Sequence, residues 1–563
     1  MNDLNASPSE IGMRAPANVM RLERMGASFQ TRLSFMRSLI RRMAREHWGF
    51  ERRRFDVDED GYGVSVFVVH TPERAYSLVV FTNALDPEKR TDRVIADAWD
   101  ATFNLFDGIP AESDIKRLAE NTPKQEAGRF RPSELVLARA NKSLRLFEHI
   151  VSSLADGNQP DMDLVSSVGY LMRTTAVYGS GKFGCADRAK IADRPETRGA
   201  FQVEMLAVYL FRWFTMDLVE HVAQARGKGH AVRLNDDIKR YLGIGNATGL
   251  GMAPFLVKHP VLIHNWVSAR ETALARVRSL RQPVGGSLEV FRQTLISAIR
   301  HIDEWHVDDT LQTDRITRLR SDMADLSVWS GDTLEREFPW EAIFRHASGN
   351  YSLEGQELTV ALLLEPHGAL IDDLADELYA GDGPGLDPVM TIGQVRGLIA
   401  SHYGWALKID FAEPSAQQNF WYYSEDKLEP RLSPRNPDYG IEMEMPLAMG
   451  RDVAKLSGIL ENVEGSQSVG GFLRERPEFR HTLRRIQTVA LHPYAEINNN
   501  LIDAGVRPID MLRFKLAFFG ASKFDPKSDR WTRICMYQGA PMPHELAQVN
   551  VDSWAYPVKP VMV

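Results

Sequence analysis

Cysteine is nearly absent from this chain: Cys185 and Cys535 are the only two in 563 residues, and they stand far apart. A disulfide framework is therefore excluded, and a reducing, cytoplasmic setting is the expectation. Also missing is any uncharged apolar run of about 18 residues, so no membrane-crossing helix is expected. The first 24 residues lack the apolar centre of a secretion signal. Ser7-Pro8 and Ala15-Pro16 instead suggest a loose arm. Excess positive charge is absent too. The formal net charge is -8, which argues against a nucleic-acid binder, since that function calls for a basic face. Internal repeats and low-complexity tracts are not found.

The familiar catalytic signatures are missing as well. A phosphate-binding P-loop needs Gly-x-x-x-x-Gly-Lys-[Ser/Thr]. At Lys182 the pattern fails twice, with Ala176 at the first glycine and Phe183 after the lysine. The dinucleotide fingerprint Gly-x-Gly-x-x-Gly fails by one position at Gly243-Ile-Gly-Asn-Ala-Thr-Gly249. No Gly-x-Ser-x-Gly elbow and no His-Glu-x-x-His occurs. In His301-Ile-Asp-Glu-Trp-His306 the histidines are five apart, which does not suit two ligands on one helical face. That cluster reads as a solvated helix end, and no metal site is expected. No motif names a cofactor.

What is present is a chain that is 44% hydrophobic and 25% charged, ordinary for a globular protein. Its length predicts roughly three to four domain-sized units. The expected fold is α+β and helix-dominated. It has a flexible arm (1–24), a small unit with an antiparallel sheet (25–130), a central helical domain (131–345) and a mixed α/β C-terminal region (346–563). Residues 27–46 have helical apolar spacing with a basic face of Arg37, Arg41, Arg42 and Arg45, read as solvated. The β-branched runs 64–70 and 76–82, joined by Thr71-Pro-Glu-Arg-Ala75, predict a hairpin. A third strand is expected within 96–106. A helix is predicted from Ser133 to about residue 155, strands at 358–364 and 403–411, and helices at 391–401, 447–463 and 472–489. Phe201 to Ala225 is nearly continuous apolar and predicts a central core helix. Its Glu204, Arg212 and Asp217 must be paired if buried, and structural ion pairing is the expected use.

Two glycine-rich stretches flank that helix and are read as pocket walls. The first, Arg173 to Arg188 with Tyr178-Gly-Ser-Gly-Lys-Phe-Gly-Cys185 at its centre, offers exposed backbone N–H groups at Ser180 and Gly181 and a cation at Lys182. Lys182 and Tyr178 are candidate acid/base groups, and Cys185 beside Lys182 and Arg188 is a candidate nucleophile. Arg173 or Arg188 would pair with a carboxylate or phosphate. In the second stretch Asn246, Thr248 and Gly249 would orient a ligand. A third candidate is His492-Pro-Tyr-Ala-Glu-Ile-Asn-Asn-Asn500, where Tyr494, Glu496 and Asn498 suit hydrogen bonding to a polar ligand. His264 reads as a core histidine. The function expected is an enzyme acting on a small polar, anionic metabolite by general acid/base chemistry. The alternative is a non-catalytic assembly or regulatory protein, with the glycines as packing devices. A homodimer is the base-rate expectation for a cytoplasmic enzyme of this size.

Overall fold

The computed structural model describes residues 11–561 except 87–98, 124–130, 175–190, 192, 200, 250–258, 308, 334–335, 377, 379–384, 414–422, 425–426, 431–448, 499–509, 511–512, 515–516, 518, 521–522, 527–530 and 548–551. Helices dominate, around one large sheet, so the chain is mixed α+β.

The sheet is built from β1 (Gly49–Val57), β2 (Gly63–His70), β3 (Ala75–Thr82), β4 (Ala101–Asp107), β5 (Glu134–Lys142), β6 (Tyr170–Thr174) and β7 (Gly243–Gly249). A small separate hairpin, β8 (Tyr423–Ser424) and β9 (Lys427–Pro430), follows. Then β10 (Lys523–Pro526) and β11 (Trp531–Met536) return to the large sheet. Its nine strands lie in the order β1-β2-β3-β4-β5-β6-β7-β11-β10. Every pairing is antiparallel except β6 with β7. Strand alternation sends Phe67, Val69, Leu78, Val80, Phe103 and Leu105 into the main core. It sends Val66, Val68, Val79, Phe81 and Phe106 to the other face, under Ile115 and Leu118. With both faces covered, these strands read as apolar runs.

Immediately before β1 the chain forms α1 (Phe35–Arg45). The crossover from β6 to β7 carries α2 (Gln202–Gly227) and α3 (Asp236–Tyr241). Helix α2 is the core helix expected from its sequence. Phe211 stacks on Phe103 of β4 at 4.3 Å and Trp213 meets Phe67 of β2 at 4.7 Å. The helical body follows: α4 (Pro260–Arg278), α5 (Ser287–Asp303), α6 (Thr310–Thr333), α7 (Pro339–Asn350) and α8 (Leu353–Leu364). A second, smaller core joins α9 (Ile392–Tyr403), α10 (Met449–Leu460) and α11 (Arg480–Leu491) through Val395, Ile399, Val453, Leu456, Leu483 and Ile486. Thr391 closes a capping box with Gln394 at the start of α9.

Several expectations are corrected. Residues 134–142 are strand β5, and a helix begins only at Phe147. Both faces of β5 are buried, so its apolar residues lack the clean alternation that marks a half-exposed strand. Residues 358–364 belong to helix α8, buried all round, and 403–411 hold a short 3-10 turn at Ala406–Lys408. The sheet is not confined to an N-terminal unit, since β5, β6, β7, β10 and β11 extend it. The basic face of α1 is solvated only at Arg45, whose side chain stays exposed. Arg37 has no exposed surface and contacts Glu365 at 2.8 Å and Asp552 at 2.9 Å. Arg41 meets Asp372 at 3.3 Å, and Arg42 and Arg45 reach Asp376 at 3.2 and 3.3 Å. Carboxylates more than 300 residues downstream neutralise this face.

Candidate functional site

Tyr178, Ser180, Gly181, Lys182, Cys185 and Arg188 lie outside the described residues. Arg173 is buried in β6, with its backbone opposite Gly245 of β7. Asn246, Thr248 and Gly249 stand in β7 opposite Ile534, Thr532 and Trp531 of β11. The second glycine-rich stretch thus begins as a strand rather than a turn. Packing explains two of its glycines. A Cβ on Gly245 would sit 2.5 Å from the Tyr170 ring, and one on Gly243 would collide with the Met536 carbonyl and lie 2.6 Å from Cys535 Sγ. Because β6 and β7 are parallel, the chain leaves both at the same edge of the sheet. Carboxyl ends of parallel strands are where open α/β sheets bind ligands.

The charges of α2 are held in two different ways. Asp217 accepts from Arg52 at 3.0 Å. Arg212 has no carboxylate contact among the described residues. Its guanidinium donates instead to the carbonyls of Leu242 (2.7 Å), Lys239 (3.0 Å), Arg240 (2.9 Å) and Pro541 (3.4 Å). It thereby caps the C-terminal end of α3, where the helix dipole favours a cation, and fixes the entrance to β7. Burial pushes its pKa down to about 10.

The three residues of the third candidate stretch part company. Glu496 is buried and occupied, accepting from Arg485 and from the Tyr403 hydroxyl, both at 2.9 Å. Asn498 uses its backbone, donating to the Met20 carbonyl at 2.6 Å and accepting from the Leu22 N–H at 3.2 Å. Tyr494 is buried, and its hydroxyl donates to the Arg14 carbonyl at 2.7 Å. Its N–H donates to Nδ1 of His264 at 3.1 Å.

That last bond builds a site no single stretch announced. His264 lies in the second turn of α4, half-buried. His492 follows α11 directly and is also half-buried. Their rings stand 4.9 Å apart at 85°, and the Tyr494 ring stacks on His264 at 5.8 Å. The hydrogen bonds fix the tautomers. Nδ1 of His264 accepts from an N–H, so the ring proton of the neutral form sits on Nε2. Nδ1 of His492 faces the Thr488 carbonyl at 3.1 Å. A carbonyl only accepts, so Nδ1 carries the proton there and Nε2 of the neutral ring keeps its lone pair. No described residue bonds Nε2 of either ring. Burial, with His492 close by, pushes the His264 pKa down to about 4. One imidazole therefore presents a donor and its neighbour an acceptor. Each histidine was visible in the sequence. Their meeting, across more than 220 residues, was not.

The remaining candidates are structural. Cys535 is buried, with Sγ 3.2 Å from the Gly169 carbonyl. His301 is buried rather than solvated and donates to the Pro557 carbonyl at 2.8 Å. Among the described residues no group of three or more His, Cys, Asp or Glu side chains is placed to hold a metal, and no helix is long and apolar enough to cross a membrane. No family model, curated protein or solved structure matches the chain.

Proposed function

We propose that this chain is an enzyme that transforms a small polar, anionic metabolite by general acid/base chemistry, with neutral His264 as hydrogen-bond donor to the substrate and His492 as proton acceptor. The observation that supports it is the complementary pair of tautomers on rings 4.9 Å apart. A neutral imidazole with its proton on Nε2 can hydrogen-bond a carbonyl oxygen, and a neighbouring lone pair can remove a proton from the adjacent atom. A depressed pKa keeps His264 in that donor form at neutral pH. The anionic part of the substrate falls to the glycine-rich stretches and Arg173. In the sequence the second stretch precedes α4, the helix that carries His264.

The test has two stages. A thermal-shift screen of carboxylated and phosphorylated metabolites finds the ligand class, since a ligand at 100 times its dissociation constant adds roughly 2.7 kcal/mol. Hits are then incubated with the protein in heavy water. The expected result is deuterium at a carbon next to the ligand's carbonyl group, with His492→Gln and His264→Gln each reducing the rate by about 100-fold or more. Exchange at wild-type rate in both variants would refute the assignment.

A further inference from the structure

The segment from Gly12 to Gly26 is tied to the histidine site at four places. The Tyr494 hydroxyl donates to the Arg14 carbonyl at 2.7 Å. Arg21 forms a parallel bridge with Asn498 through the two backbone bonds already described. The Arg14 guanidinium grips Glu271 with two bonds of 2.8 Å and Glu357 at 2.6 Å. Arg24 reaches the same Glu357 at 2.7 Å and Gln356 at 3.0 Å. Glu271 lies on α4, two turns beyond His264. Both glutamate side chains are fully buried, and with Arg14 and Arg24 withdrawn only Arg270 would remain to both of them.

We propose that this N-terminal segment is a strap that regulates the histidine pair by docking against Tyr494. Docked, it holds the phenol through the Arg14 carbonyl. The same tyrosine's N–H then holds His264 in the form that carries its proton on Nε2. Released, it frees Tyr494 and with it the orientation of His264. Three features favour a device over simple packing. Beside the side chains of Val19, Met20, Leu22 and Met25, which are buried in the main core, the segment is held by charge-assisted anchors clustered at a few points. The segment's own secondary structure is two helical turns, Pro16–Val19 and Leu22–Gly26, too short to persist alone. And the strap touches the site through a residue that also bonds one of the two imidazoles. Only the consequence for turnover rests on the acid/base reading above; docking and tautomer do not.

The test is limited trypsin digestion of the full chain, followed at Arg21. Its side chain is about half exposed (52%) but its backbone is paired while the strap is docked. Cleavage there then tracks the open population. Arg14→Gln breaks a buried ion pair and should speed cleavage at Arg21 on the order of 100-fold. Tyr494→Phe removes one hydrogen bond without disturbing the charges and should speed it about fivefold. In parallel, 15N NMR of the histidine rings should show His264 losing its fixed tautomer in Arg14→Gln. Cleavage at the wild-type rate in both variants would overturn the strap. A His264 spectrum unchanged in Arg14→Gln, despite faster cleavage, would overturn its link to the site. Neither readout needs a substrate, so a failure of the deuterium experiment and a failure of the strap are separable.

Discussion

Replacing Arg37 with methionine keeps a side chain of similar length in the same slot and removes one charge. The slot is fully buried. Arg37 makes two bonds to Glu365 at 2.8 and 2.9 Å, one to Asp552 at 2.9 Å, and lies over the Trp554 ring at 5.7 Å. Methionine retains the ring contact and loses all three charge-assisted bonds, so Glu365 becomes a buried carboxylate without its main partner. Removing one member of a buried pair costs about 3–5 kcal/mol. In urea this should lower the unfolding midpoint by on the order of 1 M. The double variant Arg37→Met with Glu365→Met removes the stranded charge as well. It should regain more than half of the loss, because an apolar pair of similar volume is often neutral relative to the ion pair. The reasoning is refuted if Arg37→Met costs less than about 1 kcal/mol, or if the double variant loses the sum of the two singles.

Four further expectations follow from the same geometry. Burial would raise the Asp552 carboxyl, but Arg37, Arg41 and Arg32 overcome it and hold the pKa down to about 2. A depressed carboxylate stabilises the fold above its unfolded pKa and loses that contribution as pH falls towards 2, so Asp552→Asn should flatten the acid limb of a stability–pH curve. His264 and His367 are both pushed down to about 4 from 6.5, chiefly by burial. The unfolded chain then takes up their protons first, and stability should drop as pH falls from 6.5 towards 4 and be level above 6.5; His264→Gln should shrink that drop in urea midpoints. Gly245→Ala should cost about 1–3 kcal/mol, because its Cβ would meet the Tyr170 ring at 2.5 Å, and the same change should cost far less when made in a Tyr170→Ala background. Arg212→Leu takes the side-chain donor from the Leu242 and Lys239 carbonyls, while the Arg240 carbonyl keeps the Gly539 N–H and the Pro541 carbonyl keeps the Tyr209 hydroxyl; it should cost about 2–3 kcal/mol, with hydrogen exchange rising first in α3.

The legible parts of the fold were those governed by neighbours in sequence. The hairpin of β2 and β3 announced itself because β-branched runs flank a short polar connection, and α9 because Thr391 and Gln394 are a cap at helical spacing. Periodicity failed where burial is complete. Strand β5 and helix α8 are buried on nearly every side, polar residues included, so neither a two-residue nor a 3.6-residue repeat survives to tell them apart. The short strand β7 carries three glycines and was disguised as a turn, since the bulky Tyr170 that requires Gly245 belongs to another strand. The same limit hid the site. His264 and His492 were each visible, but a histidine's tautomer depends on which carbonyl or N–H faces it, and those partners come from distant turns. The arginine face of α1 was misread for the same reason, since its carboxylates lie in the second half of the chain.

The position of β11 has a consequence for synthesis of the protein. Strand β7 pairs with β6 on one side and with β11 on the other, and β11 comes about 280 residues later. A ribosome working at about 5–20 residues per second needs on the order of 15–60 s to deliver it. Throughout that interval β7 is an open sheet edge on a nascent chain, the kind of template that recruits strands from other molecules. The glycines that let β7 pack so closely also make it a weak template, with few side chains to pin the register of a wrong partner. A lag of this length makes the vectorial order of translation part of how the sheet is completed, and bacterial or cell-free expression at lowered temperature, which changes the lag without changing the sequence, is where its effect on soluble yield would be seen.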